Sequence, residues 1–232
     1  MARKPTGIFV TGTDTGVGKT LVSVSLVKAL VKHGLRVSAM KPIASGSERT
    51  PAGLRNADAL ALAAAANVAA PYTAINPYCF EPAISPHIAA EEAGIDVDMC
   101  VIRRNYELLA SGADVVVVEG AGGWYAPMSP SLAMSDLPKS LGIPVLLVVG
   151  LRLGCLSHAL LTKRAIEAEG AEFAGWVANA IDPLLERRAQ NLSSLEHRLG
   201  GEPLSLFPFA PDAQPDLQGG ERLGRGLSLL SF

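Results

Sequence analysis

Short apolar runs alternate along the chain with longer segments whose apolar residues recur at helical spacing. Residues 8–10 and 115–118 are apolar throughout, as is typical of parallel strands that helices cover on both faces. The pattern predicts strands over 7–11, 36–41, 114–119, 144–149, 173–181 and 204–207. It predicts helices over 19–33, 57–66, 86–92, 98–110, 135–141, 158–169 and 183–199. Residues 67–86 contain four prolines and are predicted to be irregular, and the pattern places no element after residue 214.

Alternating strands and helices predict an α/β fold. Right-handed crossovers would join the strands into a mostly parallel central sheet with helices on both faces. The chain has 232 residues, of which 49% are hydrophobic, enough for a sizeable core. Since no glycine- or proline-rich linker divides it, we expect a single domain over residues 1–232.

Composition and charge limit the kinds of ligand and partner that the chain is expected to bind. The formal net charge is −2, so the chain lacks the basic surface of a nucleic-acid-binding protein. Its three cysteines, Cys79, Cys100 and Cys155, are too scattered for a disulfide framework or a zinc site and are expected to be free thiols in a reducing compartment. The longest apolar run, around residues 145–149, is too short to cross a bilayer. We therefore expect a cytoplasmic protein with no membrane partner.

The segment GTDTGVGKT, Gly12 to Thr20, carries the strongest chemical signal. It follows the first predicted strand and opens onto the first helix, which is the context of a phosphate-binding loop. Backbone N–H groups and the helix N-terminus would bind phosphate oxygens, Lys19 would reach the outer phosphates, and Thr20 would offer its hydroxyl to Mg²⁺. Five residues separate Gly12 from Gly18, so Thr13 stands where the strict G-x4-GK[ST] pattern has glycine.

Polar residues follow several of the predicted strands, at the edge of the sheet where ligands bind in parallel α/β folds. Glu119 comes after four valines and is favoured as a Mg²⁺ ligand. The residues alone leave open whether Lys41 neutralises a bound anion or lies on the surface. They also leave open whether Asp58 is a second Mg²⁺ ligand or compensates a helix N-terminus. Asn179 is favoured as a contact to a nucleotide base.

Asp182 precedes Pro183, and the pair reads as a helix N-cap followed by a first-turn proline. The segment NAID at 179–182 is partly like the guanine-reading NKxD of GTPases, but Ala180 stands in place of the lysine. We therefore favour the helix cap for Asp182.

Several motifs, in order, resemble those of ATP-dependent dethiobiotin synthetases. The resemblance covers the chain to about residue 182 and weakens beyond it. It implies a P-loop NTPase-like domain that uses ATP, Mg²⁺ and CO2 to close the ureido ring of dethiobiotin from 7,8-diaminononanoate, through a carbamate and a carbamic–phosphoric anhydride. The motifs are GTDTGVGKT at 12–20, KPIASGSE at 41–48, GLRNADALAL at 53–62, NPYCF at 76–80, SPHIAA at 85–90, VEGAGGWYAP at 118–127, LGCLSHALLT at 153–162 and GWVAN at 175–179.

The resemblance also implies a role for individual residues. Lys19 would bridge the carbamate and the γ-phosphate, and Lys41 would stabilise the carbamate and the anhydride. The Mg²⁺ ligands would be Thr20, Asp58 and Glu119. The substrate would meet Thr15 and Ser45 in one subunit of a homodimer and Gly154 and Cys155 in the other. The nucleotide would meet Asp14, Thr15, Gly16, Val17, Gly18, Lys19, Thr20, Asp58, Glu119, Gly120, Ala121, Gly122, Asn179, Pro208, Phe209 and Ala210.

Two features depart from the family pattern. Gly16 occupies a loop position that carries Glu in some relatives, and residues 207–214 match the family only loosely. A different class, the partition-type P-loop ATPase that acts as a switch, shares the loop and the sheet. Those proteins usually carry a second lysine at the start of the loop, where this chain has Gly12 and Thr13. Dependence of ATP turnover on a diamine and bicarbonate separates the two.

Overall fold

The computed structural model describes residues 6–210 and 214–229. Its centre is a six-stranded sheet built from β1 (Thr6–Gly12), β2 (Val37–Met40), β7 (Val115–Gly123), β8 (Val145–Leu151), β9 (Phe173–Ala180) and β10 (Ser205–Phe207). The strand order is β10-β9-β8-β1-β7-β2, and every neighbouring pair is parallel. β7 thus lies in the sheet between β1 and β2, although β1 and β2 follow each other directly along the chain. All six strands end at the same edge.

Helices cover the sheet on both faces, as the sequence predicts. They are α1 (Lys19–Lys32), α2 (Ala57–Ala65), α3 (Tyr72–Ile75), α4 (Pro86–Glu92), α5 (Met99–Ser111), α6 (Asp136–Leu141), α7 (Cys155–Ala168), α8 (Arg188–Leu199) and α9 (Leu217–Gly226). On one face the core contains side chains of α1, α2 and α9. On the other face it contains side chains of α3 to α8.

The valines of β7 show why the strands are apolar throughout. Val115 and Val117 pack into the core on the α1 side, whereas Val116 and Val118 pack into the core on the α5 side. Side chains alternate across a strand, so a strand covered on both faces needs apolar residues at every position. All four are essentially inaccessible to water, and this burial fixes β7 in the middle of the sheet.

Two small sheets lie beside the main one. β3 (Ile43–Ala44) pairs in parallel with β6 (Tyr78–Cys79), and β4 (Glu48–Thr50) pairs with β5 (Gly53–Arg55) as an antiparallel hairpin. The sequence pattern predicts none of these four strands, because two or three residues are too few to show a period. The segment 67–86, predicted to be irregular, contains α3 and β6.

The structure corrects several predicted bounds. β7 continues to Gly123 rather than ending at Glu119, and α7 begins at Cys155 rather than at 158. α8 begins at Arg188, so the prediction that Asp182 is its N-cap was wrong. Asp182 instead accepts a hydrogen bond from the backbone N–H of Leu184 at 2.9 Å and closes a turn. α9 is a helix that the sequence pattern did not predict.

Candidate active site

A cavity of about 680 Å³ opens at the edge of the sheet where β1, β2 and β7 end. Four segments line it: the phosphate loop (residues 12–20), the segment from Lys41 to Asp58, residues 83–86, and the segment from Glu119 to Pro127. The strand order brings these segments together, because β7 lies directly between β1 and β2. Two lysines and two carboxylates surround one space beside the N-terminus of α1, whose unpaired backbone N–H groups suit an anionic ligand.

The phosphate loop curls between β1 and α1. Gly16 and Gly18 have φ values of 74° and 89°, which lie in the left-handed region that favours glycine. A Cβ at Gly18 would lie 2.1 Å from Nδ2 of Asn179, so a larger residue would also clash there. The Asn179 amide is buried and donates to the carbonyl of Val17 at 2.9 Å. β9 therefore supports the loop from behind, and α1 begins directly after it at Lys19.

Lys41 lies between two carboxylates. Its Nζ is 2.6 Å from Oε1 of Glu119, 3.1 Å from Oδ2 of Asp58 and 3.2 Å from the carbonyl oxygen of Gly120. The hydroxyl of Thr20 donates to the same Oε1 of Glu119 at 2.8 Å. Lys41 is 4% exposed and Glu119 is 0% exposed, so this is a buried ion pair and not a surface lysine.

Burial and nearby charged groups shift the pKa values of the two lysines and of Asp58. Burial alone would lower the pKa of Lys41, but attraction to Glu119 and Asp58 outweighs it and raises the pKa above its ordinary value. Burial alone would raise the pKa of Asp58, but the Lys41 ammonium outweighs it and lowers the pKa. The second lysine behaves differently: burial, followed by repulsion from Lys41, lowers the pKa of Lys19 to about 8.

The other residues singled out in the sequence lie in two groups. Thr15, Gly16, Gly18, Ser45, Ala121 and Gly122 line the cavity together with the lysines and carboxylates. A second group does not line it within the described chain: Asp14, Val17, Gly120, Gly154, Cys155, Asn179, Pro208, Phe209 and Ala210. Of these, Gly154 and Cys155 begin α7, and Pro208 follows the end of β10.

Arg152, which follows β8, was not predicted from the sequence to belong to the site. Its guanidinium forms an ion pair with the carboxylate of Asp14 in the phosphate loop. Asp14 also accepts from the backbone N–H of Thr15 at 2.7 Å, and its carbonyl accepts from Nζ of Lys19 at 3.0 Å. No sequence signal identifies this pair, because the partners are 138 residues apart and meet only through the order of the strands.

This fold and site define a nucleoside triphosphate-binding protein of the P-loop class. A family model described as an AAA domain matches residues 6–215. Among solved structures, the MinC:MinD cell division complex from Aquifex aeolicus has 18% sequence identity and a TM-score of 0.63, with 96% of this chain and 95% of that chain covered. MinD from the same organism has 16% identity, a TM-score of 0.61 and coverage of 96% and 97%. At these identities the likeness shows the fold alone.

Within that class, the chain belongs to the family of ATP-dependent dethiobiotin synthetases. The enzyme named dethiobiotin synthetase BioD from Xanthomonas oryzae pv. oryzae is 46% identical over 215 residues, which are 93% of this chain and 96% of the relative. The one from Pseudomonas paraeruginosa is 49% identical over 89% of this chain and 91% of the relative. The one from Vibrio vulnificus is 47% identical over 89% of this chain and 91% of the relative.

No helix within residues 6–210 and 214–229 combines the length and the apolar character that a bilayer crossing requires.

Proposed function

We propose that this chain catalyses ATP-dependent closure of the dethiobiotin ring from 7,8-diaminononanoate and CO2. One amine of the substrate adds to CO2 and loses a proton, giving a carbamate. A carbamate oxygen attacks the γ-phosphorus of ATP and expels ADP, which leaves a carbamic–phosphoric anhydride. The second amine then attacks the carbonyl carbon, phosphate leaves, and the ring closes with loss of a proton. The observation that carries this proposal is the buried pair of lysines around one cavity with the phosphate loop and Ser45.

The protein contributes position and charge to these steps, because no enzyme nucleophile is required. The carbamate and the triphosphate are both anions, so bringing them together outside bulk water requires nearby cations. Lys19 would bridge the carbamate and the γ-phosphate, and Lys41 would stabilise the carbamate and the anhydride. Buried ammonium groups stabilise such charge more strongly than exposed ones, since water does not screen them.

The carboxylates fit a Mg²⁺ ion. Oε2 of Glu119 is buried and has no hydrogen-bond partner among the described residues, which leaves one oxygen ready for a cation. Glu119, Asp58 and the Thr20 hydroxyl supply the oxygen ligands that Mg²⁺ prefers. Within the described ranges, no group of three or more His, Cys, Asp or Glu side chains could hold a metal, so we propose that phosphate oxygens complete the set. When bound, Mg²⁺ neutralises the charge that develops on the phosphates.

We further propose that the functional unit is a cytoplasmic homodimer of single-domain subunits, with the substrate at the subunit interface. Gly154, the N-cap of α7, is exposed outside the cavity, which agrees with a role in a partner's site rather than in its own. Cys155, the first residue of α7, also lies outside the cavity and is 1% exposed in the single subunit. Leu153 beside them is 87% exposed, and a partner subunit docked here would cover this apolar side chain. Thr15 and Ser45 line the subunit's own cavity, where the reacting amines would lie.

The residues that we propose to bind the nucleotide form two groups. Residues 14–20, Asp58 and residues 119–122 would contact the phosphate end, whereas Asn179 and residues 208–210 would contact adenine. Asn179 has a buried side-chain oxygen with no partner in the described chain, which leaves one acceptor for the base.

The test is phosphate release with ATP, Mg²⁺, bicarbonate and 7,8-diaminononanoate, with each component omitted in turn. We expect release to require all four, and mass spectrometry should identify dethiobiotin as the product. Release that continues at the same rate without the diamine and bicarbonate would instead support a switch ATPase of the partition type.

A further inference from the structure

Two residues behind the cavity wall, Tyr72 and Asn76, are linked to the backbone of Lys41. Asn76 is 2% exposed, and its Nδ2 donates to the carbonyl oxygen of Lys41 at 2.7 Å and to that of Tyr78 at 3.0 Å. Its Oδ1 accepts a hydrogen bond from the hydroxyl of Tyr72 at 3.1 Å. Two carbonyls face Nδ2 and a hydroxyl donor faces Oδ1, so every contact agrees with one orientation of the amide.

The hydroxyl of Tyr72 extends the chain of bonds to Asn56. It accepts from the backbone N–H of Asn56 at 2.8 Å. The side chain of Asn56 caps α2 by accepting from the N–H of Ala59 at 3.2 Å, and it donates to the carbonyl of Ser45 at 3.3 Å. Asp58 lies in the first turn of this helix. The network therefore reaches the backbone of three residues that line the cavity, Lys41, Ser45 and Asn56.

Burial makes this network costly to leave incomplete. A buried amide or hydroxyl without a partner costs about 1–3 kcal/mol, and here each one is paired. Burial raises the pKa of Tyr72 to about 12, so its hydroxyl keeps its proton as a donor. The guanidinium carbon of Arg55 lies 4.2 Å from the centroid of the Tyr72 ring and holds the ring from its face.

We propose that Tyr72 and Asn76 are positioning residues that fix Lys41 and Asp58 relative to each other for the ring-closing reaction. The inference rests on the function proposed above. A lysine side chain has four rotatable bonds, so its ammonium can be placed accurately only if its backbone is held. Neither Tyr72 nor Asn76 lines the cavity, and both act through other residues. A displacement of about 1 Å in a catalytic group can slow a reaction by as much as about 100-fold.

The chain offers a matched pair of tyrosines for the test. Tyr72→Phe removes the hydroxyl but keeps the ring that Arg55 contacts. Tyr78→Phe is the control. It also removes a hydroxyl that accepts from a backbone N–H at 2.8 Å, but that N–H belongs to Asp98, in the loop before α5. We expect Tyr72→Phe to lower kcat for diamine-dependent phosphate release about 10-fold, with KM for ATP within about twofold. Tyr78→Phe should leave both near wild type, and the two variants should lose similar thermal stability.

A double-mutant cycle with Asn76→Ala tests whether the two residues act as one unit. If they do, Tyr72→Phe adds less than about twofold to the loss of kcat caused by Asn76→Ala. Losses that multiply, or a Tyr72→Phe variant with the kcat of Tyr78→Phe, would overturn the positioning role. Failure of the proposed function is distinct, because wild type itself would then release no diamine-dependent phosphate.

Discussion

Replacement of Lys41 by Met removes one ammonium and keeps most of the side-chain length. In the wild type, Nζ lies 2.6 Å from Oε1 of Glu119 and 3.1 Å from Oδ2 of Asp58. Because Glu119 is 0% exposed, the variant leaves a carboxylate buried without its cation. Removing one partner of a buried ion pair costs about 3–5 kcal/mol of folding free energy. For a domain of this size that corresponds to a fall in Tm of roughly 6–20 °C.

Lys32→Met is the matched control. The Lys32 ammonium lies 2.8 Å from Oε1 of Glu221, but the lysine side chain is 58% exposed. Water and salt screen such a pair, so we expect its Tm to stay within about 2 °C of wild type. Both variants make the same chemical change beside a glutamate, and they differ chiefly in burial.

Thermal unfolding of the nucleotide-free protein at pH 7 measures both variants, and phosphate release and ATP binding are measured on the same samples. We expect Lys41→Met to lose ring-closing turnover and still bind ATP, since the phosphate loop and Lys19 are unchanged. Equal Tm values for the two variants would refute the energetic reasoning from the buried pair. Wild-type turnover in Lys41→Met would refute its proposed role in the reaction.

Four further outcomes are expected. Glu119→Gln should raise the Mg²⁺ concentration for half-maximal activity at least about 10-fold, and an unchanged metal dependence would count against ligation. Because the pKa of Lys19 is about 8 in the folded chain and 10.5 as its ordinary value, the unfolded chain holds that proton more tightly. Stability should therefore rise with pH between about 8 and 10.5, and Lys19→Met should lack this rise in urea titrations. ATP binding at pH 8 should take up protons, as calorimetry in buffers of different ionisation enthalpy will show. Ser157 is exposed in the first turn of α7, within the proposed interface. Mixing Lys41→Met with Ser157→Glu subunits should restore up to about a quarter of wild-type activity if sites are shared between subunits, because half of the dimers are mixed and each contains one intact site. No recovery would indicate self-contained sites.

The residue pattern was sufficient wherever structure depends on near neighbours. The strand, glycine turn and helix at residues 7–33 were predicted because burial, backbone freedom and helical spacing are all local properties. The aliphatic run before Glu119 predicted a strand buried on both faces for the same reason. Bounds set by tertiary contacts were predicted less well: α8 begins at Arg188, and α9 was not predicted. α9 packs against α1, so the helical structure of α9 depends on a contact that forms only in the folded chain.

The candidate site was likewise predicted only in part from the sequence. The sequence indicated that Lys41 and Glu119 lie near strand ends, but it left open whether Lys41 is exposed. Strand order settled this, because β7 inserts between β1 and β2 and brings two residues 78 positions apart within 2.6 Å. Residue order along a chain records which faces are buried but not which strands become neighbours. The sequence alone therefore determined the six strands of the main sheet, most of the helices and the phosphate loop. The tertiary structure decided the short strands, the pairing of charges and the network behind Lys41.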